Sequence, residues 1–168
     1  VPPQHLVVAA AAVAPDSDRR VSVWSPSYKV FGADTSLWSL EVDFEQYKAA
    51  GASFVIVKAL HGLNIDPFFS RNYARARAAG IPVSTYQWLL PESVRPIKEQ
   101  VRTYADLLRD FPHDFVPWLD YEGEAAPRDL IRYLDLFHET ADRTIGVYSS
   151  FARLEDATLP ERLSTLKL

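Results

Sequence analysis

From residue 29 onward, short apolar runs alternate regularly with longer stretches whose apolar residues recur at helical spacing, and this alternation constrains the fold most. KVFGAD (29–34), SFVIVKA (53–59), IPVSTYQWL (81–89), FVPWLDYE (115–122) and TIGVYSS (144–150) read as strands. VDFEQYKAAG (42–51), DPFFSRNYARARAAG (66–80), RPIKEQVRTYADLLRDF (95–111) and PRDLIRYLDLFHETAD (127–142) read as helices. Asp43 can cap the first helix and Gly51 can end it. Pro67 stands in the first turn of the second and Gly80 follows its last, while Pro127 opens the fourth. In the third, Val101, Tyr104, Leu107 and Leu108 share one stripe. Five strands alternating with four helices predict right-handed βαβ units and a parallel sheet, either doubly wound or curled into a barrel. In both, ligands bind at the carboxyl ends of the strands.

Composition narrows the function classes. The chain has 168 residues, about one domain's worth, and 48% are hydrophobic, enough for a core. Its 18 basic and 22 acidic residues leave a net charge of −4, against the basic stripe of a nucleic-acid binder. With no cysteine there is no disulfide, thiolate metal site or thiol nucleophile. No Gly-rich phosphate motif occurs. The run LVVAAAAVA (6–14) is too short to span a membrane, which takes about 20 apolar residues. It reads either as a signal-peptide core or as a tail left from an upstream region. PDSDRR (15–20) is a polar break, so residues 1–27 are expected to be a tail or linker and 28–168 the folded domain.

The polar residues at the strand ends carry the chemistry. The first strand ends at Asp34, the third in Tyr86-Gln87-Trp88, the fourth in Asp120-Tyr121-Glu122 and the fifth near Tyr148. Side chains alternate along a strand, so Trp118, Asp120 and Glu122 share one face while Leu119 and Tyr121 face the helices. Carboxylates converging in an aromatic-lined mouth suit glycoside hydrolysis, in which one acid must hold a proton for the leaving oxygen. Like charges resist joint ionisation, and Glu122, near Asp120 and Asp34, is the acid expected to be raised. Tyr86, Trp88, Trp38 and Tyr148 have the apolar rings and polar tips that bind sugars. A D-x-E pair is also a common solvated strand end, and Trp88 and Trp118 also suit core packing. Arg71, Arg75 and Arg77 read as a solvated helix face. His138 and Asp142 have i, i+4 spacing without a third ligand, so no metal is assigned to them.

FGADTSLW (31–38), KAAGASFVIVKALHG (48–62), DPFFSRNYARARAAGIPVSTYQW (66–88) and WLDYE (118–122) resemble, in order and spacing, the glycoside hydrolase family 25 lysozymes. The resemblance implies a TIM-like (β/α)5(β)3 barrel and N-acetylmuramidase activity on bacterial peptidoglycan. The bond cleaved would be the β-1,4 link between N-acetylmuramic acid and N-acetylglucosamine. It maps the acid/base onto Glu122, the aspartate that orients the substrate's acetamido group onto Asp120, and the strand-one aspartate onto Asp34. Tyr86 and Tyr148 map onto the cleft tyrosines. It implies no metal and no cofactor, no nucleic-acid or membrane partner, and an extracellular or phage-associated setting, with further segments of a larger protein as partners.

The chain departs from the family pattern in three places. His61, near the expected mouth, stands where an acidic residue is frequent. Gln87 stands where histidine is common. The family's last strands, with a further aspartate, have no counterpart, so the barrel is expected to be incomplete and its edges unpaired. Two other readings therefore stand beside the muramidase. One is a non-catalytic wall-binding or structural module, in a phage particle or secreted protein. The other is a barrel glycosidase for a different polysaccharide.

Overall fold

The computed structural model describes residues 31–39 and 41–154. The amino-terminal apolar run, the polar break after it and the tail from residue 155 lie outside the described residues. The strands are β1 (Gly32–Thr35), β2 (Phe54–His61), β3 (Asn64–Ile65), β4 (Val83–Trp88), β5 (Trp118–Asp120) and β6 (Gly146–Tyr148). The helices are α1 (Phe44–Ala49), α2 (Phe69–Ala78), α3 (Ile97–Asp110), α4 (Pro127–Ala141) and α5 (Phe151–Leu154).

Strand order is β1-β2-β4-β5-β6, all parallel. Each βα unit lays its strand beside the previous one and the order never reverses. That is the winding of a barrel, not of a doubly wound sheet, and it decides between the two architectures left open by the sequence. The described strands form part of the expected TIM-like barrel, a curled α/β half-barrel.

Several local signals act as expected. The Asp43 carboxylate accepts the Gln46 N–H at 3.0 Å and caps α1. Pro127 opens α4, and the Asp129 carboxylate reaches back to the Ala126 N–H at 3.0 Å. The α3 stripe Val101, Tyr104, Leu107 and Leu108 is buried.

Three elements differ from the sequence reading. The hairpin strand β3 was not foreseen; it pairs antiparallel with the end of β2. The helix read from residue 66 begins at Phe69, because the Asp66 carboxylate is engaged elsewhere: it accepts the Leu37 and Phe68 N–H groups at 3.0 and 2.9 Å. The strand read over 115–122 is regular only over Trp118–Asp120, so Glu122 stands just beyond it.

The sheet packs a core on its helical side, built from Val55, Val57, Val83, Leu119, Tyr121 and the helices' apolar faces. A smaller cluster fills the inner side: Ile56, Tyr86 and Trp118, with Phe54, Phe115, Val116 and Tyr148 against it. The alternation expected around Leu119 is the one observed. Arg75 and Arg77 are surface residues paired with Glu41 and Asp114. Among the described residues no group of acidic and histidine side chains could hold a metal, and the His138 carbonyl simply accepts the Asp142 N–H at the end of α4.

Candidate active site

Strand register stacks the inner side chains in tiers. Lys58, Tyr86 and Trp118 are in register across β2, β4 and β5. One tier higher, at the carboxyl edge, stand His61, Trp88, Asp120 and Tyr148 from four neighbouring strands. Simple alternation would send His61 to the opposite side from Lys58. A bulge between Lys58 and Leu60 prevents this: Ala59 and Leu60 both enter the helix-side core, and His61 returns to the cleft side.

Asp120 is 7% exposed, and its Oδ1 has no hydrogen-bond partner among the described residues. Burial first, and then the charge of Glu122, push its carboxyl up to about 7, while Lys58 pulls the other way. The sequence argument expected the raised acid at Glu122. In the folded protein burial raises the Asp120 carboxyl, and Glu122 sits past the strand end, exposed to solvent. Asp34, also exposed, adds its charge to those acting on Asp120, Tyr86, Tyr148 and Lys58.

Lys58 is the functional candidate that sequence reading missed. Its side chain is buried, with the ammonium 5.0 Å from the Trp88 ring and 5.6 Å from the Tyr86 ring. Burial lowers its pKa, and Asp120, Asp66 and Asp34 oppose that. The available signal was a lone lysine inside the β-branched run SFVIVKAL. Burial and the nearby carboxylates raise the hydroxyls of Tyr86 and Tyr148, so both remain neutral donors at physiological pH. A hydrogen bond with the Ser36 side chain partly offsets the push on Tyr86.

The structure therefore brings together Asp34, Asp120, Glu122, Tyr86 and Tyr148, with Lys58 and Asp66 added. His61 stacks on Trp88, ring centroids 5.7 Å apart and planes 6° from parallel. Trp38 is 81% exposed on a 3-10 turn (Leu37–Ser39). Gln87 faces the helices: its amide donates to the Gly62 carbonyl at 2.6 Å and the Gln100 carbonyl at 3.2 Å, and its oxygen accepts from the Tyr133 hydroxyl.

A singly wound parallel β/α sheet with an acid-rich cleft at its carboxyl edge defines a barrel-type protein of the kind that hosts glycosidases. Residues 33–159 match the family model of the glycosyl hydrolases family 25, and the chain belongs to that family. It is 25% identical over 128 residues to the uncharacterized protein YegX of Escherichia coli O157:H7, covering 71% of this chain and 46% of that protein. It is 38% identical over 65 residues to lysozyme M1 of Streptomyces globisporus, covering 38% of this chain and 22% of the lysozyme. The chain thus spans less than half the length of these curated relatives. Among solved structures, the bacterial lysozyme from Streptomyces coelicolor superposes with a TM-score of 0.64 at 22% identity, covering 79% of this chain and 68% of that one. The catalytic domain of endolysin ply40 from a Listeria monocytogenes bacteriophage has the same TM-score at 18% identity, covering 85% and 72%. These similarities establish the shared fold.

Proposed function

We propose that the protein is a peptidoglycan hydrolase, a muramidase that cleaves the β-1,4 bond between N-acetylmuramic acid and N-acetylglucosamine. The observation that carries this reading is the gathering of Asp34, Asp120 and Glu122 with two neutral tyrosines at one sheet edge. Family membership and the lysozymes among its structural neighbours support it.

Glu122 donates its proton to the glycosidic oxygen. The acetamido oxygen of the muramic acid attacks the anomeric carbon from the other side, closing an oxazolinium ring as the leaving sugar departs. Water, deprotonated by Glu122, then opens that ring with net retention. Asp120 orients the acetamido group and Asp34 stabilises charge across the cleft. The unpartnered Oδ1 of Asp120 can accept the acetamido N–H, and that hydrogen bond favours the carboxylate form of Asp120. Tyr86, Trp88, Tyr148, Trp38 and His61 contact the glycan. No metal or cofactor takes part. Residues 28–168 belong to the glycosidase-like barrel domain, here incomplete, and the setting is outside the cell or on a phage particle. Among the described residues no helix is long and apolar enough to cross a membrane.

Reducing ends released from purified peptidoglycan test the reading. Glu122→Gln is expected to lower the rate by about 100-fold or more. An unchanged rate removes Glu122 from the mechanism. Wall binding by the native protein without any release of sugar ends replaces the enzyme with a wall-binding module.

A further inference from the structure

The tier that holds Asp120 ends, on its β2 side, in His61. Trp88 is half-buried: His61 stacks on the indole, Lys58 lies over it, and the Gly123 backbone comes so near the indole Nε1 that a Cβ there would stand 2.8 Å away. His61 is exposed, and neither of its ring nitrogens is hydrogen-bonded among the described residues. The aromatic surface offered to a ligand beside the carboxylates therefore includes an imidazole face stacked on Trp88.

The position of that imidazole is built. Gly62, next in the chain, has φ +60° and turns β2 into β3. Its N–H donates to the Trp88 carbonyl at 3.0 Å, and its carbonyl accepts from the fully buried Gln87 amide at 2.6 Å. Both backbone groups of the turn are thus tied to β4, which holds His61 against Trp88.

We propose that His61 is a specificity-determining residue that packs its ring face on one N-acetylhexosamine unit and accepts, in the ring plane, a hydrogen bond from the adjoining unit, and that only the uncharged imidazole does so. This rests on the muramidase reading above and adds a regulation of the same site. The groups around His61 set the sign. On its own strand the nearest charge is Lys58; on β3 it faces Asn64, with Asp66 beyond; on β4 it meets Trp88; on β5, Asp120 lies past that indole. Burial first, and then the charge of Lys58, lower the His61 pKa below its ordinary 6.5. Protonation places a second cation beside Trp88 and Lys58 and removes the accepting nitrogen, so glycan affinity falls as the medium becomes acid.

The test is binding of a soluble GlcNAc–MurNAc tetrasaccharide to the Glu122→Gln protein at about pH 7.5 and about pH 5, with and without His61→Gln. With His61 present, affinity is expected to fall at least fivefold more between the two pH values than in the double variant. Tryptophan emission supplies a second reading without ligand: an acid quenching step is expected from the imidazolium against Trp88, and it disappears in His61→Gln. Equal pH dependence of binding in the two proteins overturns the proposal, and so does an emission curve that His61→Gln leaves unaltered. The outcomes separate from those of the parent reading. A native protein that binds the glycan with the expected pH step but releases no reducing ends sinks the hydrolase and leaves His61 standing.

Discussion

At the carboxyl ends of β4 and β5 the two faces of the sheet hold their buried polar groups differently. On the helix side, Gln87 is fully buried with its amide donors and acceptor engaged by Gly62, Gln100 and Tyr133, and Thr85 pairs with the Tyr104 hydroxyl at 2.9 Å. On the cleft side, the buried Asp120 Oδ1 and Trp118 Nε1 lack partners among the described residues, and Lys58 lies within the field of three carboxylates. Satisfied groups lock a packed interface. Unsatisfied ones cost stability and are retained where a ligand completes them. The same strands thus build a scaffold on one side and a reaction site on the other.

Leu119→Ala is the largest expected blow to the scaffold face. Leu119 is fully buried at the centre of β5, and its loss should cost about 3–4 kcal/mol in urea unfolding. Asp120, one residue along but facing the cleft, should respond with the opposite sign. Below about pH 4 its carboxyl is protonated both folded and unfolded. Between there and about 7 the folded chain keeps a proton that the unfolded chain has lost, so stability falls as pH rises. Asp120→Asn should therefore raise stability by about 1–3 kcal/mol at pH ~8 and leave it nearly unchanged at pH ~4, while hydrolysis drops sharply. A variant equally destabilised at both pH values would show that Asp120 belongs to the scaffold. Gln87→Leu should cost about 2 kcal/mol by leaving the Gly62 carbonyl and the Tyr133 hydroxyl unpaired. Tyr133→Phe, which removes a single hydroxyl, should cost about 1 kcal/mol. If Tyr133→Phe proves the more damaging of these two, the Gly62 tie is not what organises the β4 end.

Much of this division could be read from the chain. Helix stripes, caps and β-branched runs are local patterns, and among the described residues they located every α-helix of ten residues or more and the five parallel strands. Alternation along β5 correctly separated Leu119 and Tyr121 from Trp118 and Asp120. Two features were out of reach. The bulge at Ala59 reverses parity within β2, so no periodic reading could bring Lys58 and His61 to the same side. The hairpin strand β3 turns back on β2 at Gly62, and Asp66 just beyond it accepts the Leu37 N–H, a contact spanning 29 residues.

Sequence alone determined which segments form strands and helices and which acidic residues fall at the carboxyl ends, because those follow from spacing within a few residues. Tertiary structure decided the winding of the sheet, the tier that joins His61, Trp88, Asp120 and Tyr148, and the acid that carries the raised pKa. Each of these depends on burial and on charges brought together from distant strands, and Asp120 is raised because the neighbouring strands enclose it.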